Sequence, residues 1–297
     1  IPYRLSISGL LGGHSGVEIQ KGRANSNKLM AQVLAGLSKE TNYHLLSLDG
    51  GKKHNAIPRE TIAYIVFESE QEIRKATSVI GRYCSLYQEA YEDSDPDIHI
   101  DLQPCGVEYK VKNGQLSAFT SSDTEKLIQI LMLLPNGVQS MSQTIPGLPE
   151  TSLNLGVLET LPDESKVYIE VSNRSSNSAD LKLLEAQIQY IAEVCGFHCN
   201  IQSSYPGWSY RKDSLLQKVM ADIYQELFQK EAAIEAIHAG LECGILASKM
   251  PELDIVSTGP DILDIHTPQE RMSIASVQRT YTYVLAVLKA MAENAVT

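Results

Sequence analysis

Several classes of function are disfavoured by what this sequence lacks. It has 25 basic residues against 36 acidic residues, and the resulting net charge of −11 argues against nucleic acid or an anionic membrane as the main partner. It has five cysteines and no Cys-x-x-Cys pair, so neither a disulfide framework nor a structural zinc site is indicated. No apolar run approaches the roughly 20 residues that a membrane-spanning helix needs. A soluble protein of a reducing cytoplasm is expected.

The sequence also lacks an initiator methionine and a signal-like segment, because it begins Ile1-Pro2-Tyr3-Arg4. Such a start is expected of a mature product, an expression product or a fragment of a longer protein, and the fragment is the favoured interpretation. A length of 297 residues allows about two domains, and 43% hydrophobic residues are enough for a core in each.

Hydrophobic periodicity predicts the same order of elements twice in the first 205 residues. The order is strand, helix, strand, strand, helix, strand, which is that of a split βαβ, ferredoxin-like unit. The first unit, about 1–105, has strands at 3–8, 43–48, 61–67 and 99–104 and helices at 25–39 and 69–91. The second, about 106–205, has a strand pair around 107–119, a helix at 122–134, strands at 151–161 and 166–173, a helix at 179–195 and a strand at 197–203.

A different domain is predicted for residues 206–297, because Pro206, Gly207 and the only tryptophan, Trp208, follow the last of these strands. Helices are expected at 214–230, 242–249 and 273–292, and short strands at 232–237 and 254–257. Alternating helices and strands predict an α/β layer with a largely parallel sheet. Two strands make too narrow a sheet, so further strands are expected from chain upstream of Ile1. The overall prediction is α/β, with an α+β first domain.

Residues 237–271 have the composition of a functional site, with two histidines, a glutamate and several glycines that allow close approach of a ligand. The alternative is a pair of surface loops with solvated imidazoles. The segment HAGLECG (238–244) followed by HTPQER (266–271) resembles the C-terminal end of the aminoacyl-histidine dipeptidases, the carnosinase-like branch of the M20 metallopeptidase family. GGHSG (12–16) with RANSNK (23–28) resembles the start of the lid domain of that branch.

This resemblance implies a lid domain over 1–205 that is duplicated and that dimerises, then the C-terminal portion of a catalytic domain over 206–297. The family uses two metal ions, usually zinc, to activate the water that attacks the peptide bond. His266 inherits a metal-ligand role, whereas the His-x-Asp, bridging Asp and Glu-Glu ligands of the family are missing from this chain. The single His-x-Asp here, at His99 and Asp101, falls in the lid and is interpreted as a chance product of strand alternation.

The resemblance also implies the substrate contacts. His14 of GGHSG matches the lid histidine that stabilises the oxyanion, in some members within the partner subunit's site, and the alternative is a simple turn imidazole. Asn55 lies in a segment, NAIPRE, that resembles the family's substrate loop, and Arg174 falls in its Arg-Ser segment. A guanidinium suits the terminal carboxylate of a dipeptide, although Arg174 could instead pair with Asp180. Gly240 would lie against the substrate.

The predicted function is thus part of a cytoplasmic, zinc-dependent homodimeric dipeptidase that hydrolyses Xaa-His dipeptides such as β-alanyl-histidine. No role is assigned to His238 or Glu242. Two alternatives stay open: another M20 exopeptidase with a different side-chain preference, and a non-catalytic dimerisation module.

Overall fold

The fold is that of a computed structural model, which describes residues 2–105, 118–143, 145–202, 208, 210–235, 242–263 and 270–294. The chain divides into two compact units, one containing the described residues up to 202 and the other those from 208 onward. Within the described ranges, no helix is both long and apolar enough to span a membrane.

The first unit contains nine strands and four α-helices among its described residues. In chain order they are β1 (Tyr3–Ser8), β2 (Gly13–His14), α1 (Ser26–Glu40), β3 (Tyr43–Gly50), β4 (Ala56–Ile57), β5 (Thr61–Phe67), α2 (Glu70–Ala90), β6 (His99–Pro104), α3 (Ser121–Leu133), β7 (Gly137–Met141), β8 (Pro149–Leu161), β9 (Lys166–Ser175) and α4 (Ser178–Val194).

The first half of this unit is the predicted split βαβ fold. Its long strands lie in the order β6-β1-β5-β3, and every neighbouring pair is antiparallel. Strand β5 alternates buried and half-buried residues, so one face of the sheet is apolar and packs under the helices. Leu5 of β1 and Ala63 of β5 are paired in the ladder and fully buried in this core.

Side-chain caps explain where the helices of this unit begin. Asn25, Ser69, Thr120 and Asn177 each precede a helix and accept a hydrogen bond from a backbone N–H of its first turn. Lys28 of α1 also donates to the carbonyls of Leu131, Met132 and Leu134, at the C-terminal end of α3. One cation thus satisfies carbonyls that helix geometry leaves unpaired and ties the two halves of the unit together.

The second half joins the same sheet instead of forming a separate one. Strand β8 pairs with β9 along one edge, and its other edge pairs with β7 near its start and with β3 at the single register position Gly50–Leu158. The predicted helices and the two central strands of this half are present, and β7 is an additional strand. Most of the predicted strand pair around 107–119 lies outside the described residues.

The strand predicted at 197–203 is not formed in its described part, residues 197–202. The N–H of Phe197 donates to the carbonyl of Ala192 and that of Gly196 to Glu193, so this segment starts by completing the end of α4. Phe197 and Cys199 pack against the core, whereas Ile201 is 43% exposed. Alternating hydrophobicity indicated buried positions here, but in the described part of the chain no strand pairs with this backbone.

Asparagine side chains fill a break in the sheet beside β8. Between its pairings with β7 and β3, this edge of β8 has no strand neighbour at Leu155 among the described residues. The N–H of Leu155 instead donates to Asn136 Oδ1 at 3.0 Å, and its carbonyl accepts from the Nδ2 atoms of Asn25 at 3.1 Å and Asn27 at 3.2 Å. These amides do the hydrogen bonding that a strand would otherwise do.

The second unit contains α5 (Leu215–Phe228), α6 (Glu242–Lys249), β10 (Ile262–Leu263), β11 (Arg271–Met272) and α7 (Ile274–Asn294). Its small core joins α5 and α7 through Met220, Ile223, Tyr283 and Val287. The hydroxyl of Tyr283 donates to the carbonyl of Met220 at 2.8 Å, so the ring is buried with its polar end satisfied.

The predicted parallel sheet of this unit is wrong for the described residues, where the only ladder is the antiparallel pair β10–β11. Residues 254–257 form no strand because the segment is attached to α5: the Asp254 carboxylate accepts from Ser214 Oγ at 2.6 Å and from Leu216 N at 2.9 Å. Residues 232–235 form no strand either, and Ile234 is 53% exposed instead of buried.

Helix α7 is apolar on two sides. One side packs on α5, and a second row of large apolar residues, spaced by three, four or seven positions, is exposed to solvent. This row consists of Ile274, Val277, Tyr281, Val284 and Leu288. An apolar row with this spacing is typical of a helix that packs against a further element.

The asparagine-filled break predicts an unequal effect of alanine at two glycines. A Cβ at Gly50 would clash with Asn27 Oδ1 and Thr61 Oγ1, so Gly50→Ala should lower the free energy of unfolding by about 1–3 kcal/mol. Gly81, exposed within α2 with open space around it, is the control, and Gly81→Ala should raise stability by about 0.5–1 kcal/mol. Urea denaturation of both variants tests this, and equal stabilities would contradict the close packing at Gly50.

Candidate active site

His14 lies in a two-stranded ribbon, where β2 pairs with β4 in the register Gly13–Ile57 and His14–Ala56. Gly13 has φ of +142°, and a Cβ there would lie 2.6 Å from Arg23 Nη1 and 2.8 Å from Glu18 Oε2. Only glycine fits this position, because both the backbone angle and the neighbouring charged groups exclude a side chain. The ribbon is therefore held close to an ion pair that precedes α1.

The hydrogen bonds of the His14 ring determine which nitrogen carries the proton. Its Nδ1 accepts from the N–H groups of Gly16 at 3.0 Å and Val17 at 3.3 Å. A nitrogen that accepts two hydrogen bonds has no proton of its own, so in the neutral ring the proton is on Nε2. The imidazole is thus oriented as a hydrogen-bond donor through Nε2.

Glu18 fixes the backbone of His14. Its Oε2 accepts from the N–H of His14 at 2.8 Å, and its Oε1 is 2.8 Å from Lys21 Nζ and 3.4 Å from Arg23 Nη1. The hydrogen bond from Lys21 and then the one from His14 lower the pKa of this carboxyl, so it stays ionised while it holds the loop.

Asp95 anchors both flanks of the His14 segment, a role that the sequence analysis missed. Its side chain is fully buried, with Oδ1 accepting from Leu11 N and Oδ2 from Ala24 N, both at 2.8 Å. The only sequence signal is an acidic residue before proline in a polar loop, a pattern that is usually solvated. Its partners lie 84 and 71 residues away, so spacing along the chain gives no indication of the contact.

Asn55 lies just before β4, the strand of the ribbon that pairs with the strand of His14. Its carbonyl accepts from the N–H of Ser15 at 2.9 Å, and it immediately precedes β4. Its half-buried side chain makes no hydrogen bond with the described residues, so the amide is available to a ligand. The structure therefore brings together His14 on β2 and Asn55 in the turn that leads into β4.

Arg174 lies on β9, where it is paired with Ser152 of β8. Its Nε is buried and has no hydrogen-bond partner in the described part of the chain. Burial lowers the pKa of this guanidinium, the expected consequence of desolvating a cation. No ion pair with Asp180, or with another carboxylate of the described residues, is formed.

Asn154 links these residues across the break in the sheet. It is two residues from Ser152 on the same strand, and its Nδ2 donates to the carbonyls of His54 at 2.9 Å and Ala56 at 2.8 Å. His54 Nδ1 is also 3.7 Å from Glu170 Oε1 on β9. The loop of Asn55 is thereby attached to the strands that carry Arg174.

The remaining candidate residues are only partly described. His266, Gly240 and His238 lie outside the described residues, and Glu242 is the first residue of α6. His99 and Asp101 lie on the edge strand β6, where His99 Nε2 is 2.9 Å from Ser8 Oγ and 3.6 Å from Asp101 Oδ2. Across the part of the chain that the structure describes, no three His, Cys, Asp or Glu side chains are grouped as a metal site would require.

Comparison with known proteins first identifies a domain, because residues 5–80 match the peptidase dimerisation domain family. Over 287 residues, 97% of its length, the chain is 33% identical to the cytosol non-specific dipeptidase of Escherichia coli K12. The crystal structure of the aminoacylhistidine dipeptidase from Vibrio alginolyticus matches 98% of the chain with a TM-score of 0.87 and 33% identity. The similarity to M20 dipeptidases that the motifs predicted is therefore confirmed, and the chain spans 57% of the length of each of these two relatives.

Proposed function

We propose that this chain is the lid and the C-terminal catalytic portion of a cytoplasmic metallo-dipeptidase that cleaves dipeptides with a free C-terminal carboxylate. Xaa-His dipeptides such as β-alanyl-histidine are the proposed substrates. The two relatives are named as a non-specific dipeptidase and an aminoacylhistidine dipeptidase, so hydrolysis of dipeptides is common to both. The first name favours a broader range of second residues as the alternative.

The observation that carries this proposal is the uncompensated cation at Arg174. A half-buried guanidinium with an unpartnered Nε is costly unless something supplies negative charge and hydrogen-bond acceptors. A carboxylate supplies both, because its two oxygens accept two parallel hydrogen bonds from the planar guanidinium. The nearby loop of Asn55 offers an amide for the rest of a short peptide.

His14 is suited to the reacting carbonyl. Because Nδ1 is held by two backbone N–H groups, Nε2–H is the donor, and such a donor stabilises negative charge that develops on the carbonyl oxygen. The rigid ribbon also limits reorganisation during the reaction. We propose that this donor acts in the active site of the same subunit or of its partner.

The described residues do not by themselves group enough ligand side chains to hold a metal ion. His266 is the proposed ligand of this chain, and the other ligands are proposed to come from the part of the enzyme that its relatives have and this chain does not span. Divalent metal ions, proposed to be two zinc ions, would supply the activated water.

The exposed apolar row of α7 supports a longer enzyme. A helix with apolar rows on two sides is expected to pack on both, and α5 covers only one of them within the described second unit. This chain spans 57% of the relatives' length, and we infer that the segment covering the second row belongs to the part that it does not span. Full-length enzyme here means the protein that carries both parts.

A second copy of the enzyme is the proposed partner of the lid. On α4, Leu183, Tyr190 and Val194 are each more than 60% exposed and lie at positions i, i+7 and i+11 on one side of the helix. Lys182 and Glu193 lie at opposite ends of this row, so an antiparallel second copy would bring unlike charges together.

Arg174→Lys in the full-length enzyme should lower kcat/KM for a free dipeptide, with a loss of about 1–3 kcal/mol in transition-state stabilisation. The reason is that lysine keeps the charge but loses the paired hydrogen bonds. The C-terminally amidated dipeptide should be a poor substrate for both forms. Arg4→Lys, a change to a surface residue 3.1 Å from Glu60, is the matched control and should have no effect. Equal turnover of the acid and the amide by the wild type would refute the role of Arg174.

His14→Asn should lower kcat by about 10²–10³-fold with little change in KM, because asparagine can accept from the N–H of Gly16 but has no donor at the position of Nε2. Steady-state kinetics on one dipeptide measure this effect. His44→Asn, at an exposed histidine 3.6 Å from Glu68, is the control. A rise in KM at constant kcat would instead assign His14 to ground-state binding.

Tyr190→Glu should convert the full-length enzyme from dimer to monomer, since it places a charge in the apolar row of α4. Leu86→Glu makes the same kind of change at a 56% exposed residue of α2 and should leave the dimer intact. Sedimentation velocity distinguishes the two states. A dimeric Tyr190→Glu enzyme would show that α4 is not the interface.

A further inference from the structure

Asn154 is buried at the break in the sheet, with 1% of its surface exposed, and its amide has three partners. Its Oδ1 accepts from Asn25 Nδ2 at 3.2 Å, while its Nδ2 donates to two carbonyls at 2.9 and 2.8 Å. Two carbonyls can only be satisfied by the NH₂ end, and the Asn25 donor needs the oxygen. The partners therefore set the orientation of the amide without ambiguity.

The two carbonyls belong to His54 and Ala56, the residues on either side of Asn55. The carbonyl of Asn55 itself accepts from the N–H of Ser15, in the segment of His14. Three successive carbonyls of the loop are thus fixed, two of them by one side chain. A loop held in this way presents the Asn55 side chain in a narrow range of directions.

Asn154 also has a fixed relation to Arg174. Asn154 is paired with Ser172 and Ser152 with Arg174, so all four side chains leave the β8–β9 ladder on the same face. Diagonal neighbours in such a ladder are about 7–8 Å apart. Asn154 therefore connects the strand pair of Arg174 directly to the loop of Asn55.

We propose that Asn154 is a positioning residue of the active site, which sets Asn55 relative to Arg174 so that both contact the same dipeptide. This inference rests on the proposed function, in which these two residues bind substrate. The competing explanation is that Asn154 only stabilises the fold, as the neighbouring Asn27 does. Asn27 is an equally buried amide that donates to the carbonyls of Gly50 and Leu155 instead of to the carbonyls of His54 and Ala56.

Hydrogen exchange tests the structural part. Asn154→Ala should speed exchange of the Ser15 and Ala56 amides at least about tenfold, because both donate within the loop that Asn154 holds. Asn27→Ala, compared at an equal loss of global stability, should speed exchange of these two amides much less. Unchanged exchange in Asn154→Ala, or equal acceleration in both variants, would overturn the positioning role whether or not the enzyme is a dipeptidase.

Kinetics of the full-length enzyme test the functional part through a double-mutant cycle. Asn154→Ala should lower kcat/KM for a dipeptide by about 10- to 100-fold, mainly through KM, but by less than about twofold when Asn55 is already alanine. Asn27→Ala should have the same effect in both backgrounds. Equal effects of Asn154→Ala in both backgrounds would overturn action through Asn55.

An unchanged kcat/KM in Asn55→Ala alone would overturn the proposed substrate role of the loop, and that failure is distinct from the hydrogen-exchange result.

Discussion

The first unit depends on a set of asparagine amides that bind the backbone of Leu155 where no strand among the described residues does so. A buried backbone N–H and C=O without partners would each cost about 1–3 kcal/mol, and here Asn25, Asn27 and Asn136 satisfy them. The β2–β4 ribbon and the loop of Asn55 lie beside this edge of β8, so the break in the sheet adjoins the candidate site.

The same amides serve several structural functions at once. Asn25 caps α1 through its Oδ1 and reaches the carbonyl of Leu155 through its Nδ2. The direction of α1 is therefore coupled to the edge of β8 by one side chain, and Asn154 extends this coupling to the loop of Asn55. A fully satisfied polar network of this kind specifies one arrangement, since a shift in any member leaves another unpaired. Apolar packing of the same volume would hold these elements together but would not fix their register.

Sequence patterns predicted the elements whose signals are local. The helices of the first unit begin within about one residue of their predicted starts, and strand β5 has the alternating burial that its sequence predicts. Patterns failed where a strand depends on a neighbour: residues 197–202 and 254–257 have suitable periodicity, but one completes α4 and the other caps α5. For the candidate site, motif resemblance proposed His14, Asn55 and Arg174, and these roles stay predictions. Asp95 and Asn154 had no such signal, because they bind residues about 70 to 100 positions away. Single polar residues in loops or strands carry no signal for such contacts, so only the fold identifies them.

Two half-buried cations of this unit show how a structural charge differs from the proposed site for an anion. Burial lowers the pKa of both Lys28, to about 8, and Arg174. The ammonium of Lys28 nevertheless donates to three carbonyls, so its hydrogen-bonding capacity is used within the fold. Arg174 has a buried Nε without a partner among the described residues. A depressed pKa is therefore common to both cations and does not by itself indicate a binding site. The unused donor is the observation that supports the proposal for Arg174, because a carboxylate would offset a desolvation cost that the three carbonyls already offset for Lys28.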